Sequence, residues 1–323
     1  MTVLSGIQPS GTLHLGNYFG AIKQHIELQS GSDQALYFIA NYHSMTTMSD
    51  PILLQKYTMD AASDYLALGL DPNKVILFRQ SDVSEVCELS WILSCCIGKG
   101  VLERSHAFKD KISKGLDPSV GLFSYPVLMA ADILIYRSTI IPVGRDQIQH
   151  VEMAQDIAAS FNHRYKTNIL VRPEMRLSEA PVVPGIDGRK MSKSYGNIIP
   201  IFPDKGMTEK QIWKAYFSSI VTDCKTIDDP KDSNDTLMML YRLLDPVESA
   251  DFQTSYVRGG IGYGELKKRL FSAYLAMFGE AREKRHSLSK IVIEEVLVEG
   301  GSKAKRLAQE TMSLVRTTTG ITK

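Results

Sequence analysis

The chain reads as an α/β protein: a Rossmann-like, doubly wound parallel sheet followed by a smaller all-helical domain. Three observations lead there. Short unbroken apolar runs, such as Ala35-Leu36-Tyr37-Phe38-Ile39-Ala40 and Val75-Ile76-Leu77-Phe78, have the pattern of strands covered on both faces. Helical periods lie between these runs, so strand and helix alternate as in successive βαβ units. Past residue 198 only helical periods continue. A length of 323 residues also exceeds one ordinary core, so a domain of residues 1–198 and a second of 199–323 are expected, with the last helix free to pack back on the first domain.

The first unit opens with the apolar Val3-Leu4 and turns through Gly6-Ile7-Gln8-Pro9-Ser10-Gly11. It enters a helix whose Phe19, Ile22 and Ile26 fall at intervals of three and four. The strand at 35–40 follows. Ser49-Asp50-Pro51 then supplies a cap and a first-turn proline for a helix through Leu54, Tyr57, Ala61 and Leu68, which Gly69 ends. After the strand at 75–78, a helix over 84–97 places Val86, Leu89, Leu93 and Cys96 on one face. Thr139-Ile140-Ile141-Pro142-Val143 is the next strand, leading into a helix marked by Ile148, Val151, Ala154, Ala158 and Phe161. In the second domain, Thr208 to Gln211 has the form of a capping box for a helix through Ile212, Tyr216 and Ile220. Further helical periods lie at 235–244, 264–279 and 290–316.

Composition excludes several function classes. A formal charge of +1, from 37 basic and 36 acidic residues, is not that of a polybasic nucleic-acid protein, and DNA is not an expected partner. Cys87, Cys95, Cys96 and Cys224 have no zinc-ribbon or redox spacing and read as reduced and mostly buried. No basic segment followed by an apolar one opens the chain, and no apolar stretch approaches a spanning helix, so a cytoplasmic, membrane-free protein is expected.

Chemistry concentrates in two stretches. Gly16 and Asn17 fall near a helix N-terminus, where free N–H groups and the dipole favour phosphate, and His14 adds a ring nitrogen able to donate to a phosphoryl oxygen. Lys190-Met191-Ser192-Lys193-Ser194 puts two lysines and two hydroxyls in a glycine-flanked loop that can follow moving negative charge. Asp132 stands in an apolar run, where an ionised carboxylate requires a donor.

Gly6-x-Gln8-Pro9-Ser10-Gly11 with His14-Leu15-Gly16-Asn17, and the later Lys190-Met191-Ser192-Lys193-Ser194, resemble the two signatures of class I aminoacyl-tRNA synthetases. Tyr125-Pro126-Val127-Leu128-Met129-Ala130-Ala131-Asp132 and Pro142-Val143-Gly144-Arg145-Asp146-Gln147 narrow the likeness to the tryptophanyl family of bacterial and organellar type. The resemblance implies that Gln8, Pro9, Ser10, Gly16 and Asn17 line the ATP phosphates and ribose. It also implies that Gly144, Arg145 and Asp146 form a ribose-binding turn, that the Val183 backbone meets the adenine, and that His14, Asn17, Lys190 and Lys193 act in catalysis, with Met191, Ser192 and Ser194 completing the mobile loop. Asp132 would accept the indole N–H of L-tryptophan, with Met129, His43, Ile141 and Val143 as pocket walls.

Residue chemistry alone does not separate tryptophan from tyrosine, since a phenol also donates. Relatives often carry a glutamine where Ala107 stands, which leaves the holder of the substrate ammonium and carboxylate open, while Lys109 and Lys111 fit a further contribution to the triphosphate. The implied reaction is attack of an amino-acid carboxylate on the ATP α-phosphorus, then transfer to tRNA(Trp). Mg²⁺ would be bound through the phosphates rather than by a protein metal site. Arg258, Lys267, Lys268, Arg269, Arg282, Lys284, Arg285 and Lys290 form a local basic excess suited to RNA, and the family implies a homodimer. A tyrosine-specific sister enzyme usually carries an additional C-terminal module, for which the chain has no room. A small-molecule nucleotidyltransferase would not need the helical domain, and a non-catalytic RNA-binding paralogue would not need the intact signatures.

Overall fold

The computed structural model describes residues 1–31, 34–105, 109, 119–144, 147–177, 182–223 and 225–322. A parallel five-stranded sheet has the order β3-β2-β1-β4-β5, formed by β1 (Thr2–Ile7), β2 (Gln34–Ile39), β3 (Ile76–Arg79), β4 (Ile140–Val143) and β5 (Glu174–Leu177). β1 pairs with β2 from Thr2↔Gln34 to Ile7↔Ile39 and with β4 on its other side. The strand order therefore reverses between β1 and β4, the place where open α/β sheets bind ligands. β5 is not expected from the sequence: Glu174-Met175-Arg176-Leu177 is mostly exposed and lacks the apolar run that marks the other strands.

Alternate residues of β2 feed two cores. Leu36 and Phe38 face one side, and Ala35, Tyr37 and Ile39 face the other, as the strand pleat requires. On the Leu36 side pack α5 (Glu85–Ser94), α7 (Val120–Ile135) and α8 (Ile148–Tyr165), with α6 (Lys99–Glu103) alongside. On the Tyr37 side lie α4 (Pro51–Ala67) and a helical stretch of three parts. These are α1 (Leu15–Asn17), a π-helical turn over Tyr18–Ile22, and α2 (Lys23–Leu28). α3 (Asn41–Ser44) follows β2 directly. Asp50 caps α4 by accepting from the amides of Ile52 and Leu53, with Pro51 at its first turn.

The remaining elements are α9 (Glu209–Ile212), α10 (Thr236–Leu244), α11 (Pro246–Arg258), α12 (Tyr263–Ser287) and α13 (Lys290–Thr319). Thr208 and Gln211 form the capping box of α9. That helix is shorter than its period suggests, because a π turn at Trp213–Phe217 ends it before Ile220. α11 is a second element without an apolar period in the sequence; its polar composition buries only Ser249, Phe252 and Tyr256. The Tyr37-side core continues without a gap through Leu237, Tyr241, Leu270, Tyr274 and Phe278. α13 then crosses to the other core, contributing Ala304, Ala308, Met312 and Val315.

α13 also covers β3, the edge of the sheet. A Cβ at Gly300 would stand 1.9 Å from the Leu77 carbonyl oxygen, so the helix backbone touches the strand and shields an edge otherwise open to pairing. The cysteines correct the expectation of burial. Cys87 and Cys95 are exposed and Cys96 is half-buried, because α5 turns Val86, Leu89, Ile92 and Leu93 inward and leaves Cys87 on its outer face. Cys224 lies outside the described residues.

Candidate active site

A cavity of about 480 Å³ opens at the carboxyl ends of β1, β2 and β4. Leu4, Gly6 and Gln8 line it from β1 and its loop, Phe38 and Ala40 from β2, and Ile141, Val143 and Gly144 from β4. Gly6 is required by its neighbour, since a Cβ there would lie 2.5 Å from the Phe38 ring. Met129, Asp132 and His43 also border this space, so five expected pocket residues converge from three separate elements.

Asp132 on α7 is 2 % exposed and solves its burial with two protein donors. Gln80 Nε2 donates to both carboxylate oxygens at 2.9 and 2.8 Å, and His43 Nε2 lies 2.8 Å from Oδ2. The Gln80 amide is itself fixed, because its Oε1 accepts from the backbone amides of Tyr42 and His43 at 3.0 and 3.4 Å. His43 is therefore a direct partner of the carboxylate as well as a wall. A carboxylate has roughly four acceptor positions, so these contacts leave Oδ1 with room for one further donor from the cavity. Gln80, buried at the end of β3, carries no local signal in the sequence; only the fold brings it to Asp132. Tyr125, which hydrogen-bonds the His150 ring, and Gln147 also line the cavity. Both stand inside the motifs that carry the family resemblance, which is their signal in the sequence.

The two signature stretches are joined. Backbone bonds from Leu15 to Ile199 (3.0 Å) and from Ile201 to Leu13 (3.0 Å) zip the segment at 199–201 against the turn before α1. Lys193 then reaches across, its Nζ donating to the Ser10 carbonyl at 3.0 Å and the Ser10 hydroxyl at 3.1 Å. Burial holds the Lys193 ammonium below the usual lysine range, against the pull of Asp64.

Inside the second loop, the buried Asn197 is the organiser. Its Oδ1 accepts from the Ser192 amide at 2.8 Å, and its Nδ2 donates to Asp187 at 2.7 Å and to the Lys190 carbonyl at 3.1 Å. Gly185 leaves room for it, as a Cβ there would fall 2.3 Å from the Asn197 amide nitrogen. Met191 is buried as the loop's anchor, while Lys190 and Ser194 are exposed, with the Ser194 hydroxyl 2.8 Å from that of Ser192. The Val183 carbonyl accepts from the Met191 amide at 2.9 Å, so its backbone oxygen is already engaged in holding this loop.

His14 is buried, and burial together with the Lys193 charge pushes its pKa down to about 4, so the ring is neutral near pH 7. Its Nδ1 has no hydrogen-bond partner among the described residues. Gly16 makes space for the ring, as a Cβ would stand 2.9 Å from it. Asn17 Oδ1 accepts from the His14 amide at 3.2 Å, which leaves only its amide N–H₂ end for a ligand. Gln8 and Ser10 are exposed beside the buried Pro9. Arg145, Asp146, Ala107 and Lys111 lie outside the described residues; Lys109 is exposed.

Much of the expected basic surface is used internally. Arg269 pairs with Glu248 and Glu265, Arg285 with Asp60 and Asp64, and Lys267 donates to the Ser218 carbonyl. Arg282 donates to backbone carbonyls of its own helix.

A parallel sheet with a cavity at its switch point, and a lysine loop reaching the first turn, defines an α/β protein of the nucleotide-binding kind. The profile of a family described as "tRNA synthetases class I (W and Y)" matches residues 1–279. The chain is 46 % identical over 325 residues to a tryptophan–tRNA ligase of Rhodopirellula baltica, covering 99 % of this chain and all of that one. It is 49 % identical over 320 residues to the Campylobacter jejuni tryptophan–tRNA ligase, covering 98 % of each. A crystal structure of the Campylobacter jejuni tryptophanyl-tRNA synthetase complexed with ADP and tryptophan superposes with a TM-score of 0.91 at 48 % identity, over 99 % of this chain and 100 % of that one. The chain belongs to the class I tRNA synthetases, in the tryptophan–tRNA ligase family.

Proposed function

We propose that this protein activates L-tryptophan with ATP to tryptophanyl-adenylate and transfers it to tRNA(Trp). The observation that supports the reading is the Lys193 bridge to Ser10, which joins the two signature stretches, together with a cavity that Gln8 of the first stretch lines and in which the Asp132 carboxylate keeps room for one further donor. The indole N–H is a donor with no acceptor, and Asp132 Oδ1 is the acceptor it meets. Ile141, Val143, Met129 and Phe38 supply apolar walls for the ring, His43 stands beside Asp132, and Tyr125 and Gln147 line the same cavity.

In the reaction, a tryptophan carboxylate oxygen forms a bond to the ATP α-phosphorus as the bond to pyrophosphate breaks. No protein nucleophile is required, so positioning and charge stabilisation carry the rate. Gln8, Pro9, Ser10, Gly16 and Asn17, with Gly144, Arg145 and Asp146, hold the nucleotide, and Val183 borders it. Neutral His14 donates a ring N–H to a phosphoryl oxygen. Lys190 and Lys193, carried by a loop with Met191, Ser192 and Ser194, follow the charge that gathers on departing pyrophosphate, an interaction strongest in the transition state. Mg²⁺ would be held through the nucleotide's phosphates and would supply charge neutralisation there; no cluster of His, Cys, Asp or Glu among the described residues is spaced to hold a metal by itself.

Transfer then places the adenylate's acyl group on a terminal ribose hydroxyl of the tRNA, releasing AMP. The helical region from residue 199 supplies the tRNA contact through the cations not consumed internally, such as Arg258, Lys268, Lys284 and Lys290. The protein works as a homodimer in the cytoplasm; no helix among the described residues is long and apolar enough to cross a membrane. The deciding experiment is amino-acid-dependent exchange of pyrophosphate into ATP with each of the twenty amino acids. Exchange with tryptophan alone supports the reading, exchange with tyrosine moves it to the sister enzyme, and none in folded protein overturns it.

A further inference from the structure

α3 begins without a cap of its own. Ala40, at its N-cap position, has no side-chain oxygen, so the amides of Tyr42 and His43 need an acceptor from elsewhere. Gln80 supplies it from the end of β3: its Oε1 accepts from both amides at 3.0 and 3.4 Å, while its Nε2 donates to the two Asp132 oxygens at 2.9 and 2.8 Å. Helix amides at one end and a carboxylate at the other leave the carboxamide a single orientation, and an uncharged amide meets both demands at once. The backbone on either side of Gln80 is tied as well. Arg79 donates through Nε to the Asp82 carboxylate at 3.1 and 3.0 Å and through Nη1 to Glu294 of α13 at 3.0 Å, with Nη2 2.8 Å from the other Glu294 oxygen. On the other flank Ser81 and Asn41 exchange two hydrogen bonds, at 2.7 and 3.1 Å. Gln80 itself is 1 % exposed and does not line the cavity.

We propose that Gln80 is the positioning residue for amino-acid choice. Its N–H₂ group aims the Asp132 carboxylate so that Oδ1 keeps an acceptor position toward the cavity. By capping α3 it also sets His43, which lies 2.8 Å from Oδ2 on the same carboxylate. Gln80 touches no substrate and acts through Asp132. It therefore governs how strongly a ring bearing an N–H is preferred to one of the same shape without it, since a site built around a hydrogen bond rejects the analogue that cannot make it. The inference rests on the proposed activity and deepens it.

The test compares tryptophan with benzothienylalanine, which carries sulfur in place of the indole N–H, in pyrophosphate exchange by the full chain. Gln80→Met keeps the length of the side chain and removes both hydrogen-bonding ends. It should lower kcat/KM for tryptophan about tenfold, a size usual for coupled neighbours, and change that for benzothienylalanine by no more than about twofold. A glutamine with a merely structural role would weaken both substrates alike, and a preference that stays unchanged overturns the proposal. In an Asp132→Asn background Gln80→Met should cause no further loss of preference, and independent multiplication of the two losses overturns it equally. Should Gln80→Met not fold, Gln80→Asn replaces it. That side chain keeps both polar ends but is one methylene too short to span α3 and Asp132 together, so the same selective loss is expected and a retained preference is the refuting result. Absence of exchange with tryptophan in the unaltered protein overturns the activity instead; exchange there, with both substrates weakened equally in the variants, overturns only the role of Gln80.

Discussion

Asp132→Asn is the substitution on which the pocket's chemistry turns. In the unaltered protein both carboxylate oxygens accept, from Gln80 at 2.9 and 2.8 Å and from His43 at 2.8 Å, and an indole N–H would add a further donor at Oδ1. Asparagine keeps the shape but offers one oxygen, so an N–H₂ group must now face either the Gln80 amide or the indole, donor against donor. The Gln80 amide cannot turn over in compensation without abandoning the backbone amides of Tyr42 and His43. A hydrogen bond to a charged group contributes roughly 1.5–3 kcal/mol, and at about 1.4 kcal/mol per decade kcat/KM for tryptophan should fall about 10- to 150-fold. Phenylalanine has no donor to lose, so its slow activation should not change and the preference for tryptophan over phenylalanine should shrink by the same factor. Pyrophosphate exchange with each amino acid measures both, beside a melting curve to show that the variant is folded. A folded variant that retains its tryptophan preference would refute the assignment of Asp132 to the indole.

Other outcomes follow from the same geometry. Lys193→Ala should reduce adenylate formation by about 10²–10³-fold, the usual effect of removing one transition-state charge donor, and an effect confined to KM for ATP would count against it. Gly300→Ala places a methyl 1.9 Å from the Leu77 carbonyl oxygen, so α13 must lift from β3. A loss of about 1–3 kcal/mol is expected, and denaturant unfolding that matches the unaltered protein would show that the contact yields freely. The pH dependence of stability carries opposing contributions. His14 and His25 have folded pKa values lowered to about 4 by burial, so their contribution is present above about pH 6.5 and lost as pH falls toward 4. Asp64 is raised to about 7 by burial against the pull of Arg285; its contribution runs the other way, present at low pH and lost as pH rises through 7. Asp64→Asn removes that offset, so the fall in melting temperature from pH 6.5 to 4 should steepen, and a flatter profile would reverse the sign of the reasoning.

Much is legible in the chain because it rests on local chemistry. The unbroken run at 35–40 has to be a strand with both faces covered, and it supplies Leu36 and Phe38 to one core and Tyr37 and Ile39 to the other. Asp50-Pro51 and Thr208 to Gln211 announce helix starts because caps depend on residues within one turn. The lysine loop and the glycine-rich turn are recognisable for the same reason: their function needs particular residues in immediate succession. Asp132 likewise demands a partner on chemical grounds alone, because its neighbours in the chain are apolar.

Which partner it takes is decided only by tertiary structure. Gln80 and Asp132 lie on different elements, and no local pattern distinguishes a buried glutamine at a strand end from a surface one. β5 and α11 are illegible for a related reason: each is stabilised by its neighbours rather than by an apolar period of its own. The arginines of α12 form a basic run in the sequence, yet Arg269, Arg282 and Arg285 are spent on carboxylates and carbonyls within the fold, some of them brought from distant elements. Sequence therefore determined the period, the caps and the contiguous signatures. Pairing between distant charged and polar groups, such as Lys193 with Ser10 and Arg285 with Asp64, follows from how the elements pack, because it depends on directions in space that a linear order does not contain.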